Sequence, residues 1–284
     1  MLAGSQGRCM SPRVSVVIPV RNGLPYLRET LESVRRQTRQ ADEVVVVDNR
    51  STDGTSEFLG AQTDIRLITQ PEGVSAPANW TTAARAATGD FVKVLCADDV
   101  LLPNCLQRQL DALIKHPGCV MTSARRQVIG PDSDVLIKAI GHDGLQGAVR
   151  ADVAILRGLS RGTNLFGEVS ALMFRTAVLQ SYLPWPDDAG YATDLAMYLK
   201  VLRDGDVHFE REPLAQFRVT QGSWSFSVRS TQARDVRETY ARGTIDRSPK
   251  VSRRHRASGA LFSSVRQVLR SLFYLRVKRP KTST

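Results

Sequence analysis

Two valine-rich runs constrain this chain more than any other feature. VSVVIPV at Val14–Val20 and EVVVV at Glu43–Val47 are short and almost wholly apolar. Between them Leu27, Leu31 and Val34 recur at helical spacing. A strand that is apolar on both faces must be covered on both, the condition of a strand in a parallel sheet flanked by helices. The alternation continues. Ser51–Thr55 is a turn rich in capping residues that leads into a short helix through Phe58 and Leu59. Ile65–Thr69 reads as a strand, Ala78–Thr88 as an Ala-rich helix stopped by Gly89, and Phe91–Leu95 as a strand. Pro103–His116 follows as a helix and Cys119–Ile129 as a strand. This βαβαβαβ order predicts a parallel sheet with right-handed crossovers.

Beyond residue 130 the pattern fades into Gly, Asp and short apolar groups until about 165. Val169–Phe174 then reads as a strand, Leu195–Leu202 as a helix, and Val207–Val219 as one or two closing strands. Ligands of open α/β sheets bind at the carboxyl ends of the strands. Asn22, Asp48 and the pair Asp98/Asp99 each fall just past such an end, so three loops bring polar groups to one rim.

Charge narrows the partners. The net charge of the 284 residues is +11, and the last 44 hold 12 basic side chains against one acid, Asp246. A neutral body with a cationic tail argues against nucleic acid as a partner. Met1–Arg13 is an N-terminal extension without the apolar core of a signal peptide, and no run approaches the ~20 apolar residues of a membrane span. Cys9, Cys96, Cys105 and Cys119 form no CxxC pair, so the cysteines read as reduced thiols and the protein as cytoplasmic. Neither GxGxxG nor GxxxxGK[ST] is present, which removes the main support for dinucleotide dehydrogenases and P-loop NTPases. None of the four histidines lies in a nucleophile elbow.

Two constellations remain. Adjacent carboxylates such as Asp98 and Asp99 repel unless a cation or strong donors lie between them, and oxygen-only ligands suit Mg²⁺ or Mn²⁺. The alternative is a capping role for the helix near Pro103. Asp48, in Asp48-Asn49-Arg50-Ser51-Thr52-Asp53-Gly54-Thr55, can accept from a base N–H or a ribose hydroxyl, or close a plain βα turn.

These segments, taken in order, resemble family 2 glycosyltransferases of the GT-A fold. The resemblance rests on Val14–Asn22, on Val45–Thr55, on Ala78-Asn79 ahead of Ala87–Asp90, and on Leu95–Asp99. It is strong over residues 14–120 and weak over 165–225. It implies an α/β, Rossmann-like, mostly parallel sheet flanked by helices. Residues 14–120 would form the nucleotide-sugar half of one domain and 121–240 the acceptor half. It further implies that Pro19, Arg21 and Asn22 line the nucleotide pocket, that Asp48 meets base or ribose, and that Asp53 supports that loop. Asn79 would sit beside base or diphosphate, Asp98 would contact ribose or metal, and Asp99 would coordinate Mg²⁺ or Mn²⁺ bridging the diphosphate of the donor. Many relatives carry a further acid where this chain has Cys96, and a thiol is a poor Mg²⁺ ligand.

Inverting members of the family use an aspartate at a helix start as general base for the acceptor hydroxyl. Tyr191-Ala-Thr193-Asp194 fits, which makes Asp194 the candidate; an N-cap role is the alternative, and Asp187 and Asp188 compete. Arg218 would meet phosphate or hold the acceptor loop, and Trp224 would stack on a sugar or simply pack. Relatives often have His where Thr220 stands. Two other readings share this framework: a non-catalytic sugar-nucleotide or membrane-binding module, and a nucleotidyltransferase, which lacks a glycine-rich basic loop here.

The tail, residues 241–284, closes the sequence. Leu261, Phe262, Val265, Val268, Leu269, Leu272 and Phe273 form a helical stripe, with Arg266 and Arg270 opposite. A basic amphipathic helix over 258–284 suits the surface of an anionic membrane, which would place the protein at the inner face of the cell membrane, with a saccharide or lipid-linked acceptor. A helix packed on the body is the alternative.

Overall fold

The computed structural model describes residues 11–24, 26–220, 231–243 and 251–276, with side chains as far as residue 269. β1 (Val14–Val20) is the centre of the parallel half and is buried along its whole length. It pairs with β2 (Glu43–Asp48) in a register running from Ser15 opposite Glu43 to Val20 opposite Asp48. β4 (Phe91–Val94) lies parallel on its other side, and β3 (Arg66–Thr69) lies outside β2. The connections are α1 (Leu27–Arg35), α2 (Thr55–Gly60) and α3 (Ala76–Ala86).

Val17 packs with Val45 and Val47 against α3, while Val16, Ile18 and Val20 pack on the other face with Leu27 and Leu31 of α1. That split is the two-faced burial the valine runs demand.

Past β4 the sheet stops being purely parallel. After the two-residue β5 (Val100–Leu101) and α4 (Cys105–Lys115) comes β6 (Cys119–Ile129). It does not join β4: β9 (Leu172–Arg175) is inserted between them, antiparallel to both. A strand antiparallel to β4 begins at the rim where β4 ends. The insertion therefore carries Glu168 and Ser170, just before β9, to the rim that the parallel strands point at.

Val207–Val219 proves to be one long strand, β10 (Asp206–Arg218), parallel to β6 and bulged near Pro213. The weakly patterned stretch after residue 130 contains β7 (Val135–Ile140), β8 (Gly147–Val149) and α5 (Ala151–Arg161). Both strands are short and partly exposed, so no alternation betrays them. α6 (Thr176–Ser181), α7 (Thr193–Val201) and α8 (Gln232–Gly243) complete the body.

The last described element is α9 (Arg253–Arg276), which packs on α5. Gly259 and Gly162 meet so closely that a Cβ on either would overlap the backbone of the other helix. Ser258 Oγ donates to Ser160 O at 3.1 Å, and Ser263 is 1% exposed. The small face of α9 thus faces the body and the large apolar side chains face outward: Leu261 is 65% exposed, Val268 60% and Leu269 60%. Among the described residues no helix is long and apolar enough to cross a membrane.

Candidate active site

The rim is stitched together by short polar side chains. The carboxylate of Asp48 is buried and accepts from Ser51 N, from Ser51 Oγ at 2.5 Å and from Ser56 Oγ at 2.5 Å. Asn22 has a left-handed backbone (φ 53°), donates through its N–H to Ser51 Oγ at 2.8 Å, and accepts Thr52 N–H on Oδ1 at 2.8 Å. Asp53 accepts from Thr55 N and Oγ1 and from Leu24 N, tying the first and second loops together. Gly54, at φ 88°, adopts a conformation that costs glycine little.

Asn79 is a buried bracket from α3. Its Nδ2 donates to Val47 O at 3.2 Å and to Val20 O at 3.4 Å, and its Oδ1 accepts from Gln70. Asn49, which sequence reasoning passed over, clamps the next loop through reciprocal bonds with Val74 N and O at 2.9 and 2.8 Å. Pro19 is buried in β1, and Arg21 is exposed at the mouth.

The acidic pair sits where β4 ends. Thr30 Oγ1, on α1, donates to Ala97 O and Asp99 O and so fixes the loop backbone. Asp99 is 1% exposed; its Oδ1 accepts Arg218 N–H at 2.9 Å, while its Oδ2 has no hydrogen-bond partner among the described residues. Burial, then the Asp98 charge, pushes the Asp99 carboxyl well above the usual range, and the neighbouring Ser170 hydroxyl only tempers the rise. Asp98 is raised as well, by burial. The Cys96 thiol is pushed up by burial and by both acids, so it stays protonated.

Arg218 is fully buried and largely committed. Its Nε donates to Asp98 O at 2.8 Å, one terminal nitrogen to Gly130 O and Ser133 Oγ at 3.0 Å, and the other to Glu29 Oε2 at 2.6 Å. The guanidinium also stacks on Tyr26 at 4.5 Å. It acts on the acidic loop from behind. Trp224 lies outside the described residues.

Asp194 opens α7. Its Oδ1 accepts Leu195 N–H at 2.6 Å and its Oδ2 accepts from Asn164 Nδ2 at 3.2 Å. Burial, and next the charge of Glu168, lift its carboxyl to about 7. Glu168 is held in an ion pair with Arg126, which is 8% exposed. Gly167, at φ 92°, permits this, because a Cβ there would come within 3.1 Å of the Arg126 guanidinium. The charges of Asp98, Asp99 and Asp194 all act on the Cys96 thiol, so the three acids lie around one buried side chain. Asp187 and Asp188 point elsewhere: Asp187 accepts from Ser75 Oγ at 3.0 Å and Asp188 pairs with Arg242.

Glu168 and Arg126 could not be found from sequence, since neither stands in a motif and only the β9 insertion brings them together. A small cavity of about 40 Å³ behind them is also lined by Ser263 and Gln267 of α9.

Could this cleft hold a divalent ion? Among the described residues no group of three or more His, Cys, Asp or Glu side chains is close enough to hold one. The donor set is nevertheless that of Mg²⁺ or Mn²⁺ bound through one or two carboxylates plus ligand phosphates. The buried Oδ2 of Asp99, without a partner among the described residues, is the atom such an ion would satisfy.

Residues 15–178 match the family described as Glycosyl transferase family 2. An uncharacterized glycosyltransferase of Rickettsia typhi is 26% identical over 213 residues, covering 74% of this chain and 64% of that protein. The chain thus spans less than two thirds of that relative. The putative teichuronic acid biosynthesis glycosyltransferase TuaG of Bacillus subtilis is 25% identical over 219 residues, covering 75% of this chain and 82% of that protein. Two solved structures share the fold. S. aureus TarS residues 1–349 align with a TM-score of 0.66 at 17% identity, over 94% of this chain and 75% of that one. The mannosyltransferase PcManGT of Pyrobaculum calidifontis, in complex with GDP-Man and Mn²⁺, aligns with a TM-score of 0.65 at 20% identity, over 93% and 76%.

Proposed function

We infer the function of this chain from its family and its cleft: it belongs to glycosyl transferase family 2, and we propose that it transfers a sugar from a nucleoside-diphosphate donor to an acceptor hydroxyl with inversion. The observation that carries this reading is Asp194, a carboxyl raised to about 7 in the same cleft as the acidic pair. A general base works best with a pKa near the working pH.

In the proposed reaction the acceptor oxygen attacks the anomeric carbon as the bond from that carbon to the diphosphate oxygen breaks, and the hydroxyl proton passes to Asp194. Asn164 orients the carboxylate through Oδ2, and burial raises its basicity, with Glu168 adding to the rise and Arg126 opposing it. Pro19, Arg21 and Asn22 line the donor pocket; Asp48, Asp53 and Asn79 keep its loops in shape. Asp98 and Asp99 would hold Mg²⁺ or Mn²⁺, which supplies charge neutralisation for a leaving diphosphate. Arg218 positions those two acids, and Trp224 is assigned to the acceptor.

The neighbours' ligands favour UDP- or GDP-linked donors: TarS has been solved with UDP and with UDP-GlcNAc, and PcManGT with GDP-Man. The name of TuaG favours a cell-envelope saccharide, free or lipid-linked, as acceptor. The outward apolar stripe of α9 and the basic tail favour peripheral work at an anionic membrane, each basic residue adding about 1 kcal/mol. NMR of the product formed from an α-linked UDP- or GDP-sugar tests the stereochemistry. A β-glycoside is expected, and an α-glycoside would contradict the role given to Asp194.

A further inference from the structure

A second concave surface lies on the far side of α7 from the Asp194 carboxylate. It is an open groove of about 780 Å³ between α3, the Pro184–Ala189 segment, α7 and α8. Its size falls within the roughly 300–1,000 Å³ of small-molecule sites. α7 is a wall shared with the active site: Asp194 faces the catalytic cleft, while Ala196, Leu199 and Lys200 face the groove. A ligand lying there would be separate from the reacting sugar.

The lining has a definite chemistry. Arg85, Lys200, Arg203 and Arg242 set four cations against two carboxylates, Asp187 and Asp188. Asp187 is held by Ser75 and Asp188 by Arg242, whereas no acid among the described residues pairs with Arg85 or Lys200. The floor is apolar, formed by Trp185, Pro186 and Leu199. Trp185 is 2% exposed and fixed edge-on against Trp80 at 5.2 Å, yet its indole N–H has no acceptor among the described residues. A buried donor left without an acceptor is costly and uncommon in folded proteins.

We propose that this groove is a second glycan site that binds an anionic oligosaccharide. The cations meet its carboxylates or phosphates, the apolar floor meets the C–H faces of its rings, and the groove's carboxylates take its hydroxyls. A bare phosphate would need neither the floor nor the acids. The class of ligand rests on the transferase reading, but the site is separate from the transfer chemistry, and its test is a binding measurement.

Calorimetry of the full chain with four probes makes that test: tetragalacturonate, phosphorylated maltotetraose, neutral maltotetraose and inorganic tripolyphosphate. At least one charged tetrasaccharide should bind about tenfold more tightly than maltotetraose and tripolyphosphate. The better of the two identifies the charged substituent. Arg85→Glu with Lys200→Glu should weaken that binding about tenfold and leave UDP binding unchanged. Arg85→Lys with Lys200→Arg should retain it, which separates charge from folding. The indole ¹H–¹⁵N resonance of Trp185 should move on titration. Failure of both charged tetrasaccharides to bind, equal binding of tripolyphosphate, or indifference to the charge reversal would each overturn the site. Loss of transfer with this binding intact would instead count against the transferase reading.

Discussion

At the scale of single residues, the cleft is defined by carboxyls that burial makes reluctant to ionise. Asp194 is the one with a consequence for stability. Its carboxyl sits near 7 rather than the usual 3.8, so the folded chain binds that proton more tightly than the unfolded chain. Stability must then fall as pH rises from about 4 through about 7, where the buried group is forced to charge. Asp194→Asn removes that cost, and its single amide oxygen can accept from Leu195 N–H or from Asn164 Nδ2 but not from both. Urea unfolding near pH 8 should find the variant more stable by about 1–3 kcal/mol, with the gain gone below about pH 4. Glu168 raises the Asp194 carboxyl by its charge, so Glu168→Gln should shift the acidic limb of the rate profile to lower pH. An unmoved limb would break the link between the two. Asp98, Asp99 and Asp194 were legible in the sequence because each follows a strand end or opens a helix. Glu168 and Arg126 carry no such signature.

At the scale of elements, what the loops bind is decided by what they first do for one another. Asp48 and Asp53 satisfy backbone groups of their own turn and Asn22 and Asn79 those of neighbouring segments, so the plain-turn alternative for Asp48 and the proposed donor role fall on the same side chains. Arg218 is the clearest case at this scale. It joins β10, α1, the acidic loop and the loop after β6, with no exposed surface. Arg218→Met strands the Asp98 and Gly130 carbonyls and should cost about 2–4 kcal/mol in urea unfolding. It should also weaken Mn²⁺ binding, since the acidic loop loses its anchor at Asp98 O. The parallel half was readable because valine runs covered on both faces admit one arrangement. The antiparallel entry of β9 was not, because a four-residue strand carries no directional signal.

At the scale of the molecule, the sheet brings Asp98, Asp99 and Asp194 around Cys96, and α9 packs on α5 with large apolar side chains turned to solvent. The stripe itself was visible in the sequence, but its direction was not, because the small residues Gly259 and Ser263 decide which face packs. If the stripe meets lipid, Val265→Ser with Leu269→Ser in the full chain should reduce flotation with anionic vesicles several-fold and leave melting temperature unchanged. Equal flotation would leave α9 without a membrane role. The claim on which the rest depends is that the shared cleft is a single inverting centre with Asp194 as its base. Its most direct test is kcat/KM for sugar transfer as a function of pH, in the wild-type chain and in Asp194→Asn. The wild-type rate should climb tenfold per pH unit below about 7 and level off above it, and the variant should lose about 10²–10⁴-fold and the limb with it. A variant that keeps both its rate and the limb near 7 would contradict the account.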